Sequence, residues 1–297
     1  MRSTPVALRR WTTAALVSTL ALLVLGGVLR AMGAALGAPE KLEDLRRLAG
    51  MLLGLCVVAL AGTAVWRHRG QPAVLWPSLG AVGCVGLQGF LGTRSVAPGD
   101  RPAMIAAHLL VTLLLVGLLL GARESARASA RDDRVGSGGR EARPPLPRDR
   151  ARVRTLALLT CLLIGVQVVL GARVRGALDL VILSQPELPR GQWLDALQSL
   201  PYVHRQVGGL VGVAIAALAV LAARCNPRAP AVGRAAATAL VLCIGQTALG
   251  LTMMGRALPP DAQALHLPLA VVLFAVVFAV AQRAGRAVVE PAQSPGA

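Results

Sequence analysis

The chain has 297 residues, 55% of them hydrophobic, only 15% charged and 3% aromatic, with a mean hydropathy of +0.62. A soluble core of this size does not need unbroken apolar runs of bilayer length, about 20 residues as a helix, and this chain has eight of them. A net charge of +17 would suit a nucleic-acid partner, but the way the charges are distributed along the chain argues for topology instead and excludes nucleic acid.

The first run, 11–29, follows Arg2, Arg9 and Arg10. It exceeds the usual core of a signal peptide and is expected to be an uncleaved first span. Runs 48–66, 73–91 and 104–122 complete a first set of four. Residues 123–154, rich in Arg, Ser, Gly, Pro and Asp, read as a polar linker. Runs 155–172, 207–223, 235–254 and 262–281 form the second set.

With the N-terminus inside, Arg2, Arg9, Arg10, Arg67, Arg69, the ten arginines from Arg123 to Arg154, Arg224, Arg228, Arg234, Arg283 and Arg286 all fall on one side. They are twenty of the 31 basic residues. This positive-inside pattern predicts both termini in the cytoplasm, in a bacterial-type inner membrane with lipid as the surrounding partner. The predicted fold is all-α and polytopic, with eight transmembrane helices in two four-helix halves: 1–122, the linker 123–154, 155–284, and a tail 285–297.

Cys56, Cys84, Cys161 and Cys243 lie within spans and Cys225 in a cytoplasmic loop. No CxxC or CxxCH occurs, so these residues read as small apolar packing groups.

The two halves repeat one another. A shift of 158 places Arg47 on Arg205, Gly50 on Gly208, Gly54 on Gly212, Gln88 on Gln246, Gly92 on Gly250, Pro102 on Pro260 and His108 on His266. Apolar matches come cheaply in this composition, but Arg, Gln, Pro and His in one ungapped register do not. The first spans match with a different shift, "LGGVLR" (25–30) lying parallel to "LGARVR" (170–175), because the outer loop after Arg175 is longer by 13 residues. An even number of spans per half makes these parallel repeats.

His68, in "WRHRGQ", reads as a solvated turn residue. His108, His204 and His266 each lie near the outer end of a span, where an ionisable group is costly and faces the bundle interior. A single one reads as an interhelical hydrogen-bonding group. His204 and His266 begin the second and fourth spans of one half, so two imidazoles sit at one depth on different helices. That arrangement suits the two axial ligands of a haem iron in a four-helix bundle. Arg175 and Arg205 could meet the propionates, or simply snorkel to the interface. In the first half His108 is the counterpart of His266, but Arg46 stands where His204 would be. A guanidinium has no lone pair to offer a metal. Glu43, one turn before Arg46, reads either as half of a surface ion pair or as an acid/base group beside a bound substrate.

These residues resemble the haem A synthase family of cytochrome oxidase assembly over nearly the whole chain. "GGVLRAMGAALGAP" (26–39) is similar to the family's GG-x-x-R-x-x-GSGL-x-x-P. Glu43-x-x-Arg46-Arg47 looks like E-x-x-H-R, and "LQGFLG" (87–92) like LQ-x-x-LG. His108, His204-Arg205, "GQTALG" (245–250) and His266 complete the set. The resemblance implies haem b as cofactor between His204 and His266, with Arg175, Arg205, Arg30 and Arg47 as cofactor-binding residues. It implies substrate haem O in the first half near the catalytic candidates Glu43 and His108, the latter a candidate ligand to the substrate iron. The implied reaction oxidises a ring methyl of haem O to the formyl group of haem A, with electrons leaving through haem b. Haem O synthase, oxidase assembly factors and a second copy of the chain are candidate partners. The sequence departs from the family at Arg46, and in a very short first outer loop between Pro39 and Glu43.

Two functions stay open: this oxidoreductase, and a non-enzymatic haem b protein for electron transfer or oxidase assembly. A transporter would need broken helices and polar mid-membrane residues, and the span centres carry almost none.

Overall fold

In hydrocarbon every backbone N–H and C=O has to find its partner within the chain, and a helix does this segment by segment. The computed structural model describes residues 4–36, 40–93, 101–135, 148–225 and 230–285. Among them are eight helices long and apolar enough to cross a membrane. They are α1 (Thr4–Leu36), α2 (Glu40–Arg67), α3 (Pro72–Thr93), α4 (Arg101–Val135), α5 (Arg148–Ser184), α6 (Leu200–Arg224), α7 (Pro230–Gly255) and α8 (Pro260–Ala284). Proline opens α3, α7 and α8, where its missing N–H costs no helical bond. Hydroxyls inside the spans turn back onto their own helix. Thr12, Thr19, Ser78, Thr160 and Thr247 each donate to the carbonyl four residues earlier, at 2.8–3.0 Å.

Two of these helices run into the stretch expected to be a linker. α4 continues to Val135 and α5 begins at Arg148. The sequence "ARESARASAR" is polar but rich in Ala and Arg, which are good helix formers. Glu124 and Arg127 pair across one turn at 2.6 Å.

Each half is a ring of four helices. α1 packs on α2, α2 on α3, α3 on α4, and α4 closes on α1; α5 to α8 repeat the circuit. The halves join through α1 against α8, α4 against α5, and α4 against α8. This is the arrangement expected of a parallel duplication. The core of the second half (Ile164, Ile215, Leu218, Val277 and Val280 among others) also takes in Leu109, Leu113 and Val116 of α4. A separate core of the first half holds Leu8, Leu53, Leu60, Val74, Leu115 and Leu119. Large apolar side chains on the outer helices face outward, Leu55, Leu162, Val213 and Val241 among them, as a lipid-facing surface requires.

At the linker end, Arg150 of α5 is buried and donates to the carbonyl of Arg283 at the end of α8, at 2.9 Å. A cation there satisfies an orphan carbonyl and the helix dipole together. Cys225 caps α6 beside it. Burial, and then the charge of Asp149, push its thiol above the usual range against the opposing pull of Arg150, which agrees with a protonated packing role.

The seam between the halves depends on glycine. A Cβ at Gly27 of α1 would lie 2.9 Å from the carbonyl oxygen and 3.1 Å from the Cα of Ala264 on α8. A Cβ at Gly176 of α5 would lie 2.9 Å from the Cα of Pro102 on α4. Both are backbone contacts that a side chain cannot sidestep. Gly27→Ala is therefore expected to force α1 and α8 apart and destabilise the protein by about 1–3 kcal/mol. Gly54 meets nothing within 4 Å, and Gly54→Ala should be neutral or stabilising by up to about 1 kcal/mol. Thermal unfolding in detergent compares the two; equal melting temperatures would refute the seam as the constraint.

Candidate functional site

His204 lies in the first turns of α6 and His266 in the first turns of α8. Both are half-buried, at the end of the bundle opposite the start of α1 and the end of α8. Each ring lies against a glycine of the preceding helix. A Cβ at Gly171 of α5 would come within 3.2 Å of the His204 Cε1, and one at Gly250 of α7 within 3.7 Å of the His266 Cε1. The Nδ1 atoms of both histidines are buried without a hydrogen-bond partner among the described residues.

Gln167, one turn before Gly171 on α5, completes this arrangement. Its Nε2 donates to the His204 carbonyl at 2.9 Å and lies 3.4 Å from the His204 Nε2. Sequence reasoning passed over Gln167 because it lies outside the 158 register. The available signal was a lone amide in the otherwise apolar run 155–172.

Among the described residues no three His, Cys, Asp or Glu side chains cluster as a metal site. The two imidazoles thus have the chemistry of a ligand pair that needs a group bringing its own in-plane ligands. Buried, unpartnered ring nitrogens on two facing helices fit such a flat, metal-centred group.

In the first half, His108 is half-buried in α4. Gln88 of α3 donates to its carbonyl at 3.1 Å and to the Thr112 hydroxyl at 2.8 Å; Thr112 in turn donates to the same carbonyl at 2.9 Å. Arg46 and Arg47 are exposed near the start of α2. Arg30 and Glu43 fall on α1 and α2, but their side chains lie outside the described residues.

The arginines of the second half are engaged by protein. Arg175 pairs with Asp179 at 2.9 Å and donates to Gln263 Oε1 at 2.7 Å, while its Nε is buried without a partner. Arg205 is exposed, with Nη1 3.4 Å from the Met254 sulfur and its guanidinium over the Tyr202 ring.

His68, expected to be solvated, is 7% exposed. The turn between α2 and α3 folds over it, with Gln71 Oε1 3.0 Å from its Nδ1.

A cap covers the end of the second half at which α6 and α8 begin. The long loop after α5 forms two short 3₁₀ turns, Arg190–Gln192 and Asp195–Leu197. Leu197 packs with Leu178 and Leu258, beside Trp193, Leu194 and Met253. Arg190 stacks on Trp193 and donates to the Leu258 carbonyl at 2.7 Å; Gln263 Nε2 reaches the same oxygen at 2.6 Å. Ala257 and Leu258 sit in the left-handed region, with φ of 50° and 60°.

The model of the COX15-CtaA family, described as a cytochrome oxidase assembly protein, matches residues 42–278. This chain belongs to that family. It is 32% identical over 266 residues to a protein of Methylobacterium radiotolerans named Heme A synthase, covering 83% of this chain and 69% of the relative. It is 30% identical over 254 residues to a protein of the same name from Rhizorhabdus wittichii, covering 78% of this chain and 66% of the relative. The family membership agrees with the resemblance carried by the histidine, glutamine and glycine motifs.

Arg190→Ala should release the Leu258 carbonyl and loosen the cap while leaving the spans intact. Limited proteolysis checks this: cleavage within 185–199 is expected to accelerate severalfold with no change in helicity. Unchanged cleavage would mean the apolar contacts alone hold the cap.

Proposed function

We propose that this protein is a haem A synthase-type membrane oxidoreductase that acts on haem O in cytochrome oxidase biogenesis. Membership of the oxidase assembly family across 42–278 carries this proposal, supported by the names of both relatives. Haem b would be held in the second half by His204 and His266, each of which has an Nδ1 buried without a hydrogen-bond partner. When bound, haem b supplies a one-electron redox centre beside the substrate half. Arg175 and Arg205 stand near the outer end of that site, where carboxylates of the macrocycle would meet them. Haem O binds in the first half, where a ring methyl is oxidised to a formyl group. His108 is the imidazole available to it there, and Glu43 is the acid/base residue. Arg30 and Arg47 are the further cofactor-binding arginines. The protein's part is to orient the substrate, exclude water and place charge. Both termini and the linker lie in the cytoplasm of a bacterial-type inner membrane, and haem O synthase and assembly factors are the partners.

A second function is favoured by one residue. Arg46 occupies the position that His204 holds in the other half, and it removes a metal ligand from the substrate half. A non-enzymatic haem b protein would tolerate that loss.

Coexpression with a source of haem O, followed by haem extraction, decides between the two. Hydroxylated or formyl haem is expected, lost in His108→Ala and Glu43→Gln with the haem b spectrum kept. Folded, haem-loaded protein that leaves haem O untouched would establish the non-enzymatic function. His204→Ala and His266→Ala should each remove the two-imidazole spectrum altogether. Arg46→His should raise any conversion.

A further inference from the structure

We infer that Gln167 is a positioning residue for the His204 imidazole, its amide setting the plane of the ring and the place of the ring proton, a role that presupposes the haem b site proposed above. The contact is built from both helices. On α5, Gln167 and Gly171 are one turn apart; on α6, His204 and Gly208 are one turn apart. The pairs face each other reciprocally. The His204 ring lies on Gly171, where a Cβ would come within 3.2 Å of Cε1. The Gln167 amide lies on Gly208, where a Cβ would come within 3.0 Å of Nε2. Each glycine thus makes room for the opposing polar group.

The amide engages one residue twice. Its nitrogen donates to the His204 carbonyl at 2.9 Å and lies 3.4 Å from the ring Nε2. Its oxygen, Oε1, is buried without a partner, as is the ring Nδ1. A neutral imidazole has one N–H and one lone pair. When one nitrogen binds a metal, the other carries the proton and needs an acceptor, and an unpaired donor in an apolar bundle is costly. Oε1 is the acceptor at hand: half a turn of the amide about its last bond brings oxygen to the ring nitrogen, and it gives up the bond to the His204 carbonyl, from which the oxygen then has to draw back.

The other half supplies an internal control. With the shifts that align the repeats, Gly26 and Gly50 are retained at the positions of Gly171 and Gly208. Leu22 and Arg46 stand at the positions of Gln167 and His204. The glutamine and the histidine are lost together. Both retained glycines then meet nothing within 4 Å. There Gln88 of α3 donates to the His108 carbonyl at 3.1 Å, a main-chain bond of the same kind.

An acceptor on the distal N–H makes an imidazole a stronger donor to its metal, and donor strength sets the potential of a haem. The full chain is purified as wild type, Gln167→Leu, Gln167→Glu and Gln88→Leu. Haem per chain, the low-temperature EPR signature and the midpoint potential are then measured. Gln167→Leu is expected to retain the haem with a raised potential and altered g-values. Gln167→Glu, of the same shape with a stronger acceptor, should lower the potential. Gln88→Leu should leave the potential unchanged. Wild-type potential and g-values in both Gln167 variants would overturn the role. If Gln167→Leu fails to fold or to load, Gln167→Glu alone decides by the same criterion. A haem-free wild type, or a His204→Ala variant with an unaltered spectrum, would instead sink the haem b site itself.

Discussion

A polar group inside a bilayer has no water to turn to, and this governs the placement of side chains throughout the molecule. Backbone groups are satisfied within each helix, and threonine hydroxyls fold back one turn. Glutamine and histidine are too long for that and have to reach the next helix. Gln88 reaches α4 and Gln167 reaches α6. A reach across a helix pair needs room on the far side, so Gly171, Gly208 and Gly250 stand opposite a polar side chain. The glycines look scattered in the sequence, yet these three follow from where the polar groups had to go.

Duplication gave both halves the same circuit of four helices, and the same constraint then separated them. In the second half the glycine faces close on His204, Gln167 and His266. In the first, the matched Gly26, Gly50, Gly54 and Gly92 meet nothing within 4 Å. One frame therefore holds two halves packed differently at their matched glycines, joined across α1, α4, α5 and α8.

The spans and the repeat were legible in the sequence because hydropathy and register are one-dimensional signals. His204 and His266 were legible because ionisable residues stand out against an apolar background. Gln167 carried the same contrast but fell in the one span whose register is displaced, so comparing the halves passed over it. The helical extension of α4 to Val135 was hidden by composition, since Arg, Ser and Ala suit a linker and a helix alike. His68 was misplaced because its burial comes from the fold of the turn over it, a matter of geometry that the flanking arginines obscured. The cap could not be read at all: Arg190 and Leu258 are 68 positions apart, and nothing local announces their bond.

That bond bears on how the turn between α7 and α8 is held. The turn between α7 and α8 is short and local, the kind of element that ordinarily closes early. Yet Ala257 and Leu258 both occupy the left-handed region, at a cost of about 1–3 kcal/mol each. One donor that holds the Leu258 carbonyl comes from a loop made long before α7. The Leu258 carbonyl is thus held from two directions, by Gln263 from α8 and by Arg190 from the α5–α6 loop. A turn that is costly on its own is braced by a distant segment, so loosening the cap would also loosen the join between α7 and α8.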